Sequence, residues 1–125
     1  MKNDIETRED IHNLVVSFYD KLLADPSISY LFTDVAKIDL DHHFPVLVDF
    51  WDMVLFQSDT YRKNAIQPHM ILHRQSTLHA HHFETWLRYF KATVDELFEG
   101  EKAFLAKQRA VSIATVIQIK IAQLK

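Results

Sequence analysis

A seventeen-residue stretch, HFETWLRYFKATVDELF at positions 82–98, decides the fold class. Its apolar residues recur every three or four positions, which is the period of an α-helix with one buried face. The stretch therefore predicts a long helix, opening near Thr77, that packs along one side. The apolar positions are Phe83, Trp86, Leu87, Phe90, Val94 and Leu97.

The same period predicts helices on both sides of this stretch. Thr7-Arg8-Glu9-Asp10 resembles a capping box and starts a first helix of about five turns. This helix is expected to end near Asp25-Pro26, because proline disfavours helix in the residue before it. A turn or short helix from Ser27 to Ala36 comes next. A second long helix is predicted from about Asp39 to Phe56, and the last from about Glu101 to Leu124.

The chain has few glycines and prolines that could interrupt these helices. Gly100 is the only glycine, and we expect it to form a left-handed C-terminal cap of the third long helix. Pro45 is tolerable only in a first turn or at a kink. From Gln57 to Thr77 the periodicity fails, which predicts an irregular stretch with at most a short helix starting around Pro68. Long irregular connections are uncommon in compact domains, so a bound cofactor would supply what this stretch packs against.

Composition limits the classes of function. The 125 residues predict one domain, 1–125, and 48% apolar residues suffice for a core. One glycine and three prolines indicate an all-α domain rather than hairpins. Fourteen basic against seventeen acidic residues, without a basic block, disfavour a nucleic-acid partner. No apolar stretch resembles a signal sequence or a membrane span, so a soluble cytoplasmic protein without a membrane partner is expected.

The side chains that could carry chemistry are mainly histidines and aromatic residues. The chain has no cysteine, so any metal would be held by His, Asp or Glu. The carboxylates show no pair that stands apart from helix-surface charge, which leaves acid–base hydrolysis without support. Helical geometry turns Tyr19, His43 and Trp86 toward three different apolar faces. These three polar groups predict a pocket.

His69 lies in the irregular stretch, between Pro68 and a run of apolar residues. A histidine presented in this way suits an axial ligand to haem iron, although any single histidine is more often a surface or hydrogen-bonded residue. Two alternatives stay open. One is a zinc-binding domain, with His69 and His73 four residues apart or with a cluster of His79, His81 and His82, although no H-E-x-x-H motif is present. The other is a cofactor-free helical interaction module, in which these residues are core and surface.

Several stretches in this order resemble the group III truncated haemoglobins of the globin superfamily, from about Asp10 to Lys120. The resemblance implies an all-α, two-over-two helical sandwich around haem b. The glycine-pair motifs of the other truncated groups are missing, as they are in group III. The matching stretches are Ser17-Phe18-Tyr19-Asp20-Lys21, Tyr30-Leu31-Phe32, His43 through Asp49-Phe50-Trp51, Pro68-His69 with Leu72, His82-Phe83-Glu84-Thr85-Trp86-Leu87, and Val94-Asp95-Glu96-Leu97-Phe98.

The resemblance also implies roles for single residues. His69 would be the proximal ligand of the iron, and Phe32 would pack against the haem face. On the distal side, Leu47 would form an apolar wall, and the hydroxyl of Tyr19 could donate to a diatomic ligand. The other implied residues are His43 and Trp86 on the distal side, with Trp86 also in contact with haem, Leu72 in contact with haem, and His73 and Arg74 near the propionates.

A protein of this kind would bind O₂, NO or CO reversibly at the haem iron. Strong polar stabilisation of the ligand suits NO detoxification, peroxidase-like chemistry or sensing better than bulk oxygen delivery. Either reaction would need an external reductase, since the sequence carries no flavin or nicotinamide motif of its own. Coordination of the iron by His43 in the absence of gas is a further alternative.

Overall fold

A computed structural model describes residues 2–57 and 66–123, with the backbone alone at positions 66 and 67. Within these ranges the secondary structure is entirely helical. None of the helices there is both long and apolar enough to cross a membrane. The elements are α1 (Arg8–Leu23), α2 (Pro26–Tyr30), a π-helical turn (Leu31–Val35), α3 (Leu40–Phe56), α4 (Ile66–Gln75), α5 (Ala80–Leu97) and α6 (Glu101–Ala122).

The long helices form two packed pairs. α1 lies against α3, and α5 lies against α6, while contacts of α1 with α5 and of α3 with α6 join the pairs. α4 packs on α6 and on the π-helical turn. The predicted all-α fold with its two-over-two arrangement is therefore confirmed.

Local capping explains where the first helices start. The Thr7 side chain accepts a hydrogen bond from the Asp10 backbone at 3.1 Å, and the Asp10 carboxylate accepts one from the Thr7 backbone at 3.1 Å. This is the predicted capping box. α1 ends at Leu23, close to the predicted boundary, and Pro26 opens α2 at a position where its missing N–H costs nothing.

The prediction for the segment before the third long helix is wrong in two respects. α4 begins at Ile66 and is longer than the predicted short helix. Pro68 is tolerated there because it lies in the first turn, where backbone N–H groups have no intrahelical acceptor. The helix predicted to open near Thr77 begins instead at Ala80, after the extended residue His79. The part of the predicted irregular stretch at positions 58–65 lies outside the described residues.

Pro45 is the sixth residue of α3 and lies beyond the first turn, which was one of the two positions expected for it beside a kink. Its ring nitrogen cannot donate to the carbonyl of Asp41. Both residues are exposed, so water can satisfy that carbonyl.

Gly100 does not form the left-handed cap that the sequence predicts. It lies at φ 141° and ψ −168° and precedes α6, whereas α5 ends at Leu97 and is followed by the extended residue Phe98. A Cβ atom at this glycine would lie 2.5 Å from the Asp4 carboxyl carbon. Asp4 comes close because its carboxylate accepts hydrogen bonds from the backbones of Lys102 and Ala103 at 2.9 and 2.8 Å, which caps α6 from the N-terminal segment.

Phe90 is the centre of the core. It is fully buried and stacks on two indoles, with ring centroids 4.9 Å from Trp51 and 5.7 Å from Trp86. The ring of Phe18 meets it edge-on at 5.2 Å. One side chain of α5 thus joins α1 and α3 through aromatic contacts, which add to the free energy of apolar burial.

Replacing Phe90 with alanine should lower the free energy of unfolding by about 3–5 kcal/mol, because the surrounding rings cannot close the cavity. Urea unfolding followed by circular dichroism measures the loss. The exposed Ile71→Ala variant of α4 serves as a control and should change stability by less than about 0.5 kcal/mol. Equal losses in the two variants would contradict a central role for Phe90.

Candidate functional site

An apolar cavity of about 380 Å³ lies between the long helices and the π-helical turn. This volume is typical of sites for small molecules and cofactors. All the long helices and α4 contribute to its walls. The polar or titratable side chains among its lining residues are Tyr19, His43, His69, His82 and the indoles of Trp51 and Trp86.

Tyr19 of α1 and His43 of α3 meet at the cavity wall. The Tyr19 hydroxyl lies 2.8 Å from Nε2 of His43. Tyr19 is only 5% exposed, and burial raises its pKa well above the usual range. Burial also lowers the pKa of His43, and the nearby His69 lowers it further. Both side chains are therefore neutral at physiological pH, with the tyrosine able to donate and the imidazole able to accept.

Aromatic contacts hold in place the part of the cavity wall next to Tyr19 and His43. Trp86 of α5 packs edge-on against Phe18 at 5.6 Å, in addition to its stacking on Phe90. Phe32, on the π-helical turn, meets the Tyr19 ring edge-on at 5.5 Å. This turn is closed by a hydrogen bond from Ala36 to the carbonyl of Leu31 at 2.9 Å. The wider π-helical turn thus brings Phe32 to the cavity wall.

His69 reaches the same cavity from α4. It is half-buried and follows Pro68, which also lines the cavity. His43 of α3 lines the same cavity, and a positive charge on His69 would lower the pKa of His43. Two histidines from different helices thus line one apolar cavity.

All but two of the predicted site residues line the cavity. His73 and Arg74 are not among the lining residues. Nδ1 of His73 instead accepts a hydrogen bond from the Leu78 backbone at 3.1 Å, which shapes the link between α4 and α5, and Arg74 is exposed. The predicted residues that do line the cavity are Tyr19, Phe32, His43, Leu47, His69, Leu72 and Trp86.

The sequence did not reveal a second tyrosine–histidine pair. The backbone N–H of His79 donates to Nδ1 of His82 at 3.0 Å, which assigns the ring proton to Nε2 in the neutral form. Nε2 then donates to the Tyr30 hydroxyl at 2.9 Å. His82 lies at the edge of the apolar stripe of α5, but nothing in the local pattern pairs it with a residue 52 positions away.

This pair also bears on the zinc alternative. Both ring nitrogens of His82 have hydrogen-bond partners, so the proposed cluster with His79 and His81 would have to break one of these bonds. Across the part of the chain that the structure describes, no group of three or more His, Asp or Glu side chains is arranged to hold a metal ion.

Comparison with known proteins decides the family. Residues 3–118 match the profile of the family described as bacterial-like globin. The chain belongs to the bacterial-like globin family. Globins hold haem iron through a proximal histidine, so membership implies that this protein binds haem.

The relatives of this globin agree with the sequence resemblance. It is 24% identical over 121 residues to the group 3 truncated hemoglobin ctb of Campylobacter jejuni, covering 94% of this chain and 93% of that protein. Its structure matches the crystal structure of a group III truncated hemoglobin from Campylobacter jejuni with a TM-score of 0.84 and 22% identity, over 97% of this chain and 95% of the other. The predicted similarity to group III and the truncated globin fold are thus confirmed.

Acid should destabilise this globin partly through His82. Burial lowers the pKa of His82, as do the neighbouring His81 and His79. Below the pKa of an unfolded histidine, about 6.5, the unfolded chain therefore binds more protons than the folded one. The free energy of unfolding should fall as the pH drops below about 6.5, by up to about 1.4 kcal/mol per pH unit for one such group.

Urea unfolding over a series of pH values measures this slope. The His82→Gln variant should show a shallower slope than the wild type, while the exposed Asn13→Gln variant of α1, which changes no titratable group, should keep the wild-type slope. An unchanged slope in His82→Gln would contradict a neutral, buried His82.

Proposed function

We propose that this globin holds haem b in the apolar cavity, with His69 as the axial ligand, and that it binds O₂, NO and CO reversibly. The observation that carries the proposal is the cavity itself, in which apolar walls enclose imidazoles from α3 and α4. Apolar walls suit a flat hydrophobic macrocycle, and imidazole nitrogen is an established ligand of haem iron.

The hydrogen bond between Tyr19 and His43 counts against His43 as the axial ligand. His43 would have to give up a bond of 2.8 Å at Nε2 to coordinate iron. Burial of Tyr19 makes the loss costly, since its hydroxyl would need another partner. His43 is thus better suited to the side of the haem on which the gas binds.

When bound, haem iron supplies an open coordination position for a diatomic gas. Tyr19 can turn its O–H from His43 toward such a ligand, and the indole N–H of Trp86 is a second donor at the same wall. The apolar side chains of Phe32 and Leu47 exclude water there. A hydrogen bond in this low-dielectric space is stronger than in water, so the donors favour a ligand with partial negative charge.

Such stabilisation suits slow ligand release. A slowly released ligand fits NO detoxification, peroxidase-like chemistry or sensing better than oxygen delivery. Turnover in either reaction would draw electrons from a separate reductase.

The visible spectrum tests the proposal directly. After addition of haemin, the wild-type protein should show a Soret band that shifts on reduction and shifts again with CO. A protein that gives no Soret band under these conditions would contradict the proposal. A band that ignores CO would point to a second protein ligand, with His43 as the first candidate.

Replacing His69 with glycine should remove the axial ligand. We expect weaker haem retention and an altered Soret band, with partial recovery when imidazole is added to the buffer. His73→Ala, one turn further along α4, is the matched control and should keep the wild-type spectrum. A wild-type spectrum in His69→Gly would assign the ligand to another residue.

Replacing Tyr19 with phenylalanine should raise the rate of O₂ dissociation. Loss of a hydrogen bond of about 1–3 kcal/mol corresponds to an increase of about 5-fold to 160-fold. Stopped-flow displacement of O₂ by CO measures the rate. Tyr89→Phe is the control, because that hydroxyl donates to Asp25 at 2.6 Å, away from the cavity. An unchanged rate in Tyr19→Phe would remove Tyr19 from the mechanism.

A further inference from the structure

α2 is tied to α5 by a hydrogen bond at each of its ends. At its start, the Tyr89 hydroxyl of α5 donates at 2.6 Å to the carboxylate of Asp25, the N-cap of α2. At its end, the Tyr30 hydroxyl lies 2.9 Å from Nε2 of His82. His82 and Tyr89 stand at i and i+7 in α5, so they lie on the same face of that helix. The short helix α2 is therefore fastened along one side of α5.

The Tyr30 end of α2 leads directly into the cavity wall. Tyr30 is the last residue of α2, and the π-helical turn Leu31–Val35 begins at the next position. This turn places Phe32 on the wall. His82 lines the cavity as well, and one turn further along α5 so does Trp86. The bond between Tyr30 and His82 thus joins the two segments that form this part of the wall.

The His82 ring is held from both sides while it is neutral. The backbone N–H of His79 donates to Nδ1 at 3.0 Å, and the N–H at Nε2 donates to the Tyr30 hydroxyl. A protonated ring also carries a hydrogen on Nδ1, so two N–H groups would face each other where a bond now stands. Only 3% of His82 is exposed, which leaves a charged ring without water in this position. Protonation therefore displaces the ring and removes the partner of Tyr30.

We propose that His82 is a positioning residue of the cavity wall. Its neutral imidazole holds Tyr30, and thereby the π-helical turn, against α5, and protonation of the ring releases this part of the wall. This role rests on the proposed function, because the wall encloses the proposed haem site. A released wall opens more often, so a gas ligand enters faster in acid than at neutral pH.

The surroundings of His82 make its protonation a local event at the start of α5. Within the described part of the chain, the titratable groups that face the ring are Tyr30 from α2, and His79 and His81 beside the first turn of α5. The two hydrogen-bond partners of the ring are a backbone N–H and a phenol, so neither compensates a positive charge. Burial lowers the pKa of His82, and so do His81 and His79. The release is therefore expected below the pKa of a free histidine, about 6.5.

Flash photolysis of CO from the reduced, haem-loaded protein tests this role between about pH 5 and about pH 8. The wild type should rebind CO about fivefold faster at the acid end, the factor for one lost hydrogen bond of about 1 kcal/mol. Tyr30→Phe keeps the ring but loses the hydroxyl, so it should show the fast rate already at neutral pH. His82→Gln can still donate to Tyr30 but takes up no proton, so it should keep the slow rate throughout.

Tyr89→Phe is the matched control, because it removes the hydrogen bond at the other end of α2. Neither Tyr89 nor Asp25 lines the cavity, so this variant should keep the wild-type rate and its pH dependence. A fast rate in Tyr89→Phe would mean that any loosening of α2 opens the wall, and would overturn the role of His82. An unchanged rate in Tyr30→Phe would overturn it too, as would an acid acceleration that persists in His82→Gln.

Amide hydrogen exchange of the full chain before haemin is added gives a readout that does not depend on haem. The Ala36 amide closes the π-helical turn. At neutral pH it should exchange about fivefold faster in Tyr30→Phe than in the wild type, and at the wild-type rate in Tyr89→Phe. A wild-type protein that takes up no haemin would contradict the proposed function, yet this exchange still tests the tie. Wild-type exchange in Tyr30→Phe would overturn the positioning role even if haem binds.

Discussion

The stacking of Phe90 on two tryptophans is the constraint on which the rest of the structure depends. Trp51 comes from α3, while Phe90 and Trp86 come from α5, so the stack joins these two helices through their side chains. Phe18 closes the arrangement from α1. Aromatic rings tolerate few packing geometries, and a fully buried ring leaves a large cavity when removed. The core therefore has little freedom to rearrange.

The cavity is held rigid as well, because residues of this core form part of its wall. Trp86 belongs to the stack and to the cavity wall at once, and so does Phe18. Tyr19 follows Phe18 in α1 and consequently points its hydroxyl toward His43 from a fixed position. Burial keeps both partners neutral, because an apolar environment penalises charge. A preorganised neutral donor at the wall of an apolar cavity is what selective binding of a small, weakly polar ligand requires.

The sequence correctly predicted the helices in which apolar residues recur every three or four positions. It mispredicted segments in which this period is absent. The apolar stripes of α1, α3 and α5 correctly turned Tyr19, His43 and Trp86 toward one space. The stretch before α5 was misread because Pro68 was taken as the start of a helix, although a first turn accepts proline at more than one position. The prediction of a left-handed cap at Gly100 was wrong because the conformation of this residue depends on its contact with Asp4, which is far away in the sequence.

The helical class and the inward direction of Tyr19, His43 and Trp86 followed from the sequence alone, because a period of 3.6 residues is a local property. The resemblance of ordered stretches, rather than the period, pointed to the family. Only the tertiary structure decided which polar groups meet. The pairs of Tyr19 with His43 and of Tyr30 with His82 join different elements, and the cap from Asp4 to α6 crosses nearly the whole chain. Such contacts depend on how helices pack in three dimensions, and no local pattern records the partner of a side chain across that distance.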